Sequence, residues 1–441
     1  MGNSLHQAGI DAPPAWIRSA KVVLGILAFV NLFNYLDRYL VSALVESLKH
    51  SQLALSDTQA GSLMSGFLIV FALTAPIFGA LGDRLSRPRL IAFGVACWSV
   101  ATALSGLAWN FASLFVARAS VGVGEAAYVT IGPSLLSDYF RRDQRGRAMA
   151  VFFCAIPVGS ALGYVVGGLM DVHFGWRMAF FVAGIPGIVL ALLCLGLYDP
   201  PRGSQDSDAP GASTEAAAPS GRDSGRGRFL LGYRHLLRNK PYVLTVLGYV
   251  AYTFALGGLA FWMPAFLERI RGIPREQATV SFGGIVVITG FIGTFVGGWL
   301  GDYCARYSER AYLWISAGAT LIAAPFAWLA LTAASSTVYL VCMVVAQLMM
   351  FLSTGPINAC IVNLVLPTER ASANALGVLT IHVLGDVPSP IIIGMLSDAS
   401  SLGQAVKIVP LAIVAAAAIW AVAALTQPLA PPLAQPKEKP A

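Results

Sequence analysis

Two opposite charges lie in an apolar stretch of the chain that is long enough to span a lipid bilayer. Arg118 and Glu125 are seven residues apart, or two helical turns, so they share one face of a predicted helix. A charged side chain at the centre of a bilayer costs roughly 2.5–3.5 kcal/mol on insertion scales. We therefore interpret this face as a substrate or proton site. The alternative is a fixed ion pair that locks two helices together.

A second set of polar residues lies in the first apolar run. Asn34, Tyr35 and Arg38 recur at helical spacing, and Asp37 lies beside them. Polar side chains at membrane depth face the interior of a bundle. The pattern therefore predicts a polar stripe on the first helix that meets the charged face of the fourth.

These residue types suit anion binding and proton transfer. A guanidinium group pairs well with phosphate, so Arg38 and Arg118 are predicted to bind an anionic headgroup. Asp37 and Glu125 are the predicted proton carriers, because burial favours a neutral carboxyl group and a nearby arginine favours a carboxylate. A substrate that competes for the arginine would then change the protonation of the acid.

Composition places these residues in a helical membrane protein. Hydrophobic residues make up 56% of the chain and charged residues 12%, a balance too apolar for a soluble surface. We predict twelve spanning helices, at about 22–46, 58–82, 89–108, 111–138, 146–170, 177–198, 241–267, 277–300, 311–332, 337–365, 371–397 and 404–426.

The net charge of +7 follows membrane topology. With the N-terminus inside, most of the 29 Lys and Arg residues fall in cytoplasmic segments, as the positive-inside rule requires. This distribution argues against nucleic-acid binding and predicts that both termini are cytoplasmic. The six cysteines are scattered without metal-ligand or disulfide spacing. We expect no metal and no cofactor.

A short motif repeats four times, each time at the end of the second helix of a predicted three-helix unit. The copies of Gly-x-x-x-Asp are Gly79/Asp83, Gly167/Asp171, Gly298/Asp302 and Gly394/Asp398. Such regularity indicates an internal repeat of three helices, grouped into two six-helix halves. The predicted organisation is a tail (1–20), a first bundle (21–198), a linker (199–240), a second bundle (241–426) and a tail (427–441).

The motif at the ends of the second and eighth helices is the predicted gating element. Gly79 and Gly298 let helix ends approach closely, and Asp83 can accept hydrogen bonds from the N-terminus of a neighbouring helix. Arg84 and Asp302 complete the predicted gating set.

The second half contains fewer charges within its predicted helices. Tyr252 and Asn358 are its candidate polar contacts, and His382 and Asp386 are four residues apart on one helix. The His–Asp pair suits either proton relay or a structural hydrogen bond, and all four residues are predicted to contact substrate. An intramembrane enzyme is disfavoured, because this pair lacks a third catalytic member.

Three of these features together resemble the major facilitator superfamily. They are Asn34-Tyr-Leu-Asp-Arg38 in the first helix, the Gly-x-x-x-Asp-Arg loop after the second, and Arg118-x-x-x-Gly-x-Gly-Glu-Ala126 in the fourth. The resemblance covers about residues 22–426. It implies an all-α membrane protein with the major facilitator fold, acting by alternating access and by default monomeric.

Within that superfamily the chain resembles a bacterial spinster-family transporter. The resemblance rests on Gly122-Val-Gly-Glu-Ala-Ala-Tyr128, Pro133-Ser-Leu-Leu-Ser-Asp138 and Phe152-Phe-Cys-Ala-Ile-Pro-Val-Gly-Ser160. It adds Tyr128 to the predicted substrate contacts. It also implies the bacterial inner membrane, proton coupling and a lysophospholipid- or sphingolipid-like amphiphile as substrate.

Other functions remain open at this stage. Organic anion symporters share the Asn-Tyr-x-Asp-Arg element, and a drug/proton antiporter of the same superfamily is a further alternative. An organic-anion symporter needs a wetter cavity with polar groups in both halves, which the apolar second half disfavours. A membrane receptor needs a folded domain outside the membrane, which neither the short tails nor the low-complexity linker supplies.

Overall fold

A computed structural model describes residues 19–205, 235–308, 310–365 and 370–427. The predicted N-terminal tail, most of the linker and nearly all of the C-terminal tail lie outside these residues. The described chain forms twelve helices long and apolar enough to cross a membrane. The prediction of an all-helical membrane protein is therefore confirmed.

The spanning helices are numbered α1 to α12 in chain order. They are α1 (Ala20–His50), α2 (Asp57–Gly82), α3 (Arg87–Ser105), α4 (Phe111–Ser137), α5 (Arg142–Phe174), α6 (Trp176–Leu195), α7 (Lys240–Arg269), α8 (Arg275–Ala305), α9 (Ala311–Thr332), α10 (Ser336–Asn363), α11 and α12 (Ile408–Thr426). Helix α11 consists of Arg370–Ile381, a π-helical turn His382–Asp386, and Pro388–Ala399.

Local signals in the sequence account for several helix starts. Ser56 caps α2 by accepting a hydrogen bond from the backbone N–H of Gln59, whose side chain reaches back to the Ser56 N–H. Asn110 and Ser113 form the same box at α4. Several helices, α5 among them, extend beyond the predicted runs, because an apolar run marks the membrane core while the helix continues into polar residues at its ends.

The packing of the helices divides the bundle into two equivalent halves. In the first half α1 packs on α5, α4 on α2 and α3, and α6 on α3. Adding six to each number gives the packing of the second half, where α7 meets α11, α10 meets α8 and α9, and α12 meets α9. This correspondence agrees with two six-helix halves.

The halves meet mainly along two helix pairs, α5 with α8 and α2 with α11, and α1 also contacts α7. We call the end at which α1 begins the α1-N end and the opposite end the α1-C end. At the α1-C end α5 and α8 approach so closely that a Cβ on Gly168 would lie 2.0 Å from Thr279 Oγ1. Glycine at this position allows the two halves to touch there.

A glycine stripe on α5 packs within the first half rather than between the halves. A Cβ on Gly159 would lie 2.4 Å from the Leu32 carbonyl oxygen, and one on Gly163 would lie 2.5 Å from that of Leu36. The stripe therefore fixes α5 against α1 and holds the polar face of α1 in place.

Candidate functional site

Two buried ion pairs connect α1 to α4. Arg118 Nη1 lies 3.0 Å and 3.2 Å from the carboxylate oxygens of Asp37, and Arg118 Nη2 donates to the Asp37 carbonyl at 3.3 Å. Arg38 Nη2 lies 2.7 Å from Glu125 Oε2. Neighbouring residues on α1 thus pair with charges two turns apart on α4. The predicted meeting of the two polar faces occurs in the structure.

Two glycines on α4 allow its charged face to pack close to neighbouring helices. A Cβ on Gly122 would lie 2.5 Å from the Phe67 carbonyl oxygen on α2, and one on Gly124 would lie 2.4 Å from that of Gly94 on α3. Because both positions lack side chains, α4 packs directly on two backbones and Glu125 is aimed at α1.

The two arginines have different surroundings. Arg118 is 2% exposed, and Asp37 accepts its hydrogen bonds. Arg38 is 11% exposed, and its guanidinium carbon lies 4.9 Å from the ring centre of Tyr35 and within 5.4 Å of Phe67 and Phe71. Arg38 is therefore the reachable cation, in an aromatic setting that suits a guanidinium group.

Several buried polar atoms at this site have hydrogen-bonding capacity left over. Among the described residues, Glu125 Oε1, Arg38 Nε and both side-chain polar atoms of Asn34 have no hydrogen-bond partner. Unsatisfied buried polar atoms are costly and are concentrated at functional sites. The arrangement provides an acceptor for a proton on Glu125 and spare donors on Asn34 and Arg38.

Tyr128 lies one turn beyond Glu125 but belongs to the core of the first half. Its ring is fully buried and meets Trp98 edge-on at 5.7 Å, and its hydroxyl donates to the Leu27 carbonyl at 2.5 Å. In this conformation Tyr128 braces α4 against α1 rather than facing the cavity.

Two candidate contacts in the second half, Tyr252 and Asn358, each donate a hydrogen bond within that half. Tyr252 donates its hydroxyl to the Met350 carbonyl at 2.8 Å and is buried. Asn358 is exposed, and its amide donates to the Tyr249 hydroxyl at 3.2 Å. Tyr252 therefore packs α7 on α10, whereas Asn358 remains accessible.

His382 and Asp386 occupy the π-helical turn of α11. His382 Nδ1 lies 2.8 Å from Asp386 Oδ2, and both side chains are partly exposed. A Cβ on Gly257 of α7 would lie 2.8 Å from the Asp386 Cβ, so the turn packs against α7. Val387, which follows the turn, accepts a hydrogen bond from the Ser65 hydroxyl of α2 at 2.5 Å, so this part of α11 lies at the interface between the halves.

An apolar cavity of about 530 Å³ lies between the halves. It extends from Tyr39 and Tyr164 to the outer surface between α5 and α8, where Phe153 and Phe295 on its rim are exposed. Its volume lies within the range of roughly 300–1,000 Å³ that is usual for small-molecule sites. Tyr39, which follows Arg38 in α1, lines the inner end of the cavity, whereas the Arg38 guanidinium points to Tyr35, Phe67 and Glu125.

Arg269, at the end of α7, closes the α1-C end by contacting the first half. It donates to Glu46 at 2.9 Å through Nε, and to Asp57 at 2.6 Å through Nη1 and 2.9 Å through Nη2. Two carboxylates from α1 and α2 thus share one guanidinium from the other half.

Two further contacts strengthen this closure. Arg275 Nη1, at the start of α8, lies 2.5 Å from Asp171 Oδ2 at the end of α5. The carboxylate of Asp398, at the end of α11, accepts the backbone N–H groups of Asp57 and Thr58 at 2.9 Å and 2.8 Å. The network of Glu46, Asp57, Asp171, Arg269, Arg275 and Asp398 is called the α1-C latch below.

Two of the three latch aspartates, Asp171 and Asp398, are the second and fourth copies of Gly-x-x-x-Asp. Asp398 binds the N-terminus of another helix, the contact that the sequence suggested for Asp83. Asp83 itself is exposed in this conformation, and its carbonyl accepts a hydrogen bond from Arg202. Asp302 is exposed and accepts the Tyr312 hydroxyl at 2.9 Å.

The remaining gating candidates lie at the α1-N end. Arg84 is exposed, and a Cβ on Gly79 would make only ordinary contact, at 3.5 Å, with Thr130. A Cβ on Gly298 would meet no atom within 4 Å. At this end the buried charge is Arg87, which binds Asp138 Oδ2 at 2.5 Å within the first half.

Sequence reasoning did not identify Arg269, Arg275 or Glu46. Each lies near a helix end, where charges are common and have no special meaning in a single sequence. Their pairing becomes visible only when both halves are placed together.

Comparison with known proteins agrees with this architecture. The sequence pattern of the family described as Major Facilitator Superfamily matches residues 27–390. Protein spinster of Drosophila melanogaster is 33% identical over 420 residues, which cover 90% of this chain and 66% of that protein. Sphingosine-1-phosphate transporter SPNS2 of Danio rerio is 31% identical over 427 residues, 90% of this chain and 82% of that protein.

A solved structure shares the fold. It is the crystal structure of a bacterial homolog to the human lysosomal transporter Spinster, in an inward-facing and unoccupied conformation. Its TM-score is 0.81 at 22% identity, over 94% of this chain and 98% of that chain. The fold and the relatives are those of transporters, not enzymes.

Proposed function

This chain belongs to the spinster family of the major facilitator superfamily, and we propose that it is a proton-coupled transporter of a lysophospholipid- or sphingolipid-like amphiphile. It is a multi-pass membrane protein with twelve spans. The name of the Danio rerio relative, a sphingosine-1-phosphate transporter, supports a substrate with a phosphate headgroup and one long apolar chain.

The observation that carries this proposal is the position of the apolar cavity relative to Arg38. The rim of the cavity at Phe153 and Phe295 is exposed on the outer surface, and its inner end is lined by Tyr39, the residue next to the partly exposed Arg38 in α1. An amphiphile fits both ends, since its chain occupies the apolar space and its headgroup meets a guanidinium. A small organic anion would leave the apolar walls without a partner.

Proton coupling follows from the sharing of Arg38. In this structure Arg38 neutralises Glu125 at 2.7 Å. When a phosphate takes Arg38, Glu125 is left in a buried site without its cation, and a buried carboxyl group without a cation favours the neutral form. Headgroup and proton therefore bind together, and Glu125 releases its proton when Arg38 returns.

Asp37 and Arg118 have a supporting role in this scheme. Their buried pair fixes α1 against α4, so the neighbouring Arg38 and Glu125 meet at a defined distance. The partly exposed pair on α11, His382 with Asp386, is proposed as the site for a cationic amine of the substrate.

Alternating access is supported by the repeat of the latch motif. Asp171 and Asp398 hold the α1-C end closed, whereas the equivalent Asp83 and Asp302 at the α1-N end are exposed. Rocking the halves would release the first two and bring the second two against α11 and α5. We further propose that the protein is a monomer of the bacterial inner membrane, with the α1-N end and both termini cytoplasmic.

The test is uptake by proteoliposomes under an imposed proton gradient. Wild type and Glu125→Gln are each offered a lysophospholipid and, separately, a small organic anion. Glu276→Gln is the matched control, because Glu276 is an exposed acid in the first turn of α8. The proposal predicts gradient-driven lipid uptake by the wild type and the control, and loss of coupling in Glu125→Gln.

Two results would contradict it. Uptake of the organic anion without lipid transport would show that the substrate is a soluble organic anion. Gradient-driven lipid uptake by Glu125→Gln equal to wild type would show that Glu125 is not the proton carrier.

A further inference from the structure

An aromatic row runs along the outside of α8. Phe295, Trp299, Tyr303 and Tyr307 follow at intervals of four residues and are 80%, 62%, 45% and 77% exposed. The rings of Trp299 and Tyr303 are stacked at 5.7 Å, and Tyr303 meets Tyr307 edge-on at the same distance. These four residues are called the α8 aromatic face below.

The α8 aromatic face is continuous with the cavity. Phe295 belongs to both, since it lines the rim of the cavity and begins the row. From there the row runs toward the α1-N end, where α8 ends at Ala305. Trp and Tyr concentrate where a helix leaves the hydrocarbon for the headgroup region. The row therefore leads from the headgroup level of one leaflet to the cavity opening.

Two exposed arginines, one on α5 and one just after the end of α8, lie near the level of this row. A Cβ on Gly168 of α5 would lie 2.0 Å from Thr279 of α8, and a Cβ on Gly290 of α8 would lie 3.9 Å from Pro157 of α5. Continuing this antiparallel register with the same rise per residue puts Arg147 of α5 level with Trp299. Arg147 is exposed, as is Arg306, which lies between Tyr303 and Tyr307 in the chain.

We propose that the α8 aromatic face, with Arg147 and Arg306, is a loading surface for a single-chain amphiphile with a phosphate headgroup. The chain lies along the rings and enters the cavity past Phe295, while the two arginines hold the phosphate at headgroup level. This inference rests on the proposed function, because it adds the step before the substrate reaches Arg38.

A continuous row of rings, a residue shared with the cavity and nearby arginines are not all needed for membrane anchoring. An anchoring aromatic requires only the right depth, and Trp314 at the start of α9 is such a residue, 46% exposed and outside the cavity lining. The α8 aromatic face differs from it in its four-ring continuity, its shared residue with the cavity and its flanking cations.

The first experiment measures transport of oleoyl-lysophosphatidate from phosphatidylcholine proteoliposomes. The triple variant Trp299→Leu, Tyr303→Leu, Tyr307→Leu keeps an apolar surface but removes the rings, and Trp314→Leu is the matched control. We expect a KM about tenfold higher in the triple variant at nearly unchanged kcat, and wild-type values in Trp314→Leu. An unchanged KM in the triple variant would show that the face is a membrane anchor and overturn the proposal.

The second experiment does not depend on transport. A lysophosphatidate with a photoreactive group near its headgroup is incorporated in the same vesicles, and labelled peptides are mapped. The proposal predicts labelling of Trp299 to Tyr307, reduced severalfold in Arg147→Gln/Arg306→Gln. Labelling without uptake by the wild type would refute the proposed function but retain the surface. Uptake without labelling of this segment would refute the surface alone.

Discussion

Arg38 donates to Glu125 Oε2 at 2.7 Å, while Glu125 Oε1 is buried with no hydrogen-bond partner among the described residues. One acidic oxygen is thus neutralised by a partly exposed cation, and the other is available for a proton. This half-satisfied pair is the element that can couple a headgroup to a proton, because whatever takes Arg38 changes the charge balance at Glu125.

Replacing Arg38 tests its contact with the substrate. We expect Arg38→Gln to bind lysophosphatidate at least about 30-fold more weakly, since losing one partner of a buried charge pair costs about 2 kcal/mol or more. Binding of an uncharged monoacylglycerol should be unchanged. Titration of the detergent-solubilised protein measures both ligands, with the surface variant Lys407→Gln as control. Equal losses for the two ligands would contradict a headgroup contact.

The Asp37–Arg118 pair should matter for stability more than for binding. Arg118→Gln leaves the Asp37 carboxylate buried without its cation, which is expected to cost about 3–5 kcal/mol. The double variant Asp37→Asn/Arg118→Gln removes both charges and should recover much of the loss. The midpoint of thermal unfolding in detergent, followed by tryptophan fluorescence, gives the comparison. A double variant less stable than Arg118→Gln would rule out this explanation.

The α1-C latch should set which end of the bundle is closed. Arg269→Gln removes the contacts that join Glu46 and Asp57 to α7. We expect the population open at the α1-C end to rise at least about tenfold, equivalent to about 1.4 kcal/mol. Distances between spin labels on α1 and α7 at that end report the change. Identical distance distributions in wild type and variant would exclude a latch function for Arg269.

The copies of Gly-x-x-x-Asp should act in opposite directions. Asp398→Asn weakens a contact present in this structure, so it should increase opening at the α1-C end. Asp83→Asn changes a side chain that is exposed in this structure, so the population closed at the α1-C end should stay the same or rise. The transport cycle should become slower. The same spin-label distances measured in both variants test the prediction. Shifts of the same sign would contradict an alternating role.

The sequence was sufficient to predict the fold and the polar faces. Apolar runs gave twelve spans, and four copies of one motif gave the grouping into halves. Charges on α1 and α4 could be expected to meet, because each is too costly in lipid alone. The partner of each charge could not be predicted, because the pairing depends on the rotation of α4 about its axis. That rotation is set by the packing of Gly122 and Gly124 against the backbones of neighbouring helices.

Other features required the three-dimensional arrangement. Arg269 and Asp57 are 212 residues apart and belong to different halves. No local pattern in a single sequence relates them. Tyr128 differs from these residues, because a local motif did suggest a role for it, that of a substrate contact. In the structure its hydroxyl donates a hydrogen bond to the Leu27 carbonyl. A motif identifies a helix but not the direction in which each of its side chains points.

The most direct test of proton coupling is the proton balance of substrate binding. Detergent-solubilised protein in weak buffer with a pH indicator is mixed with lysophosphatidate, beside Glu125→Gln and the Glu276→Gln control. We predict proton uptake by wild type and control, none by Glu125→Gln, and tighter binding by wild type as the pH falls, because protonation of Glu125 frees Arg38. Binding with no proton uptake by the wild type, or uptake unchanged in Glu125→Gln, would contradict the sharing of Arg38.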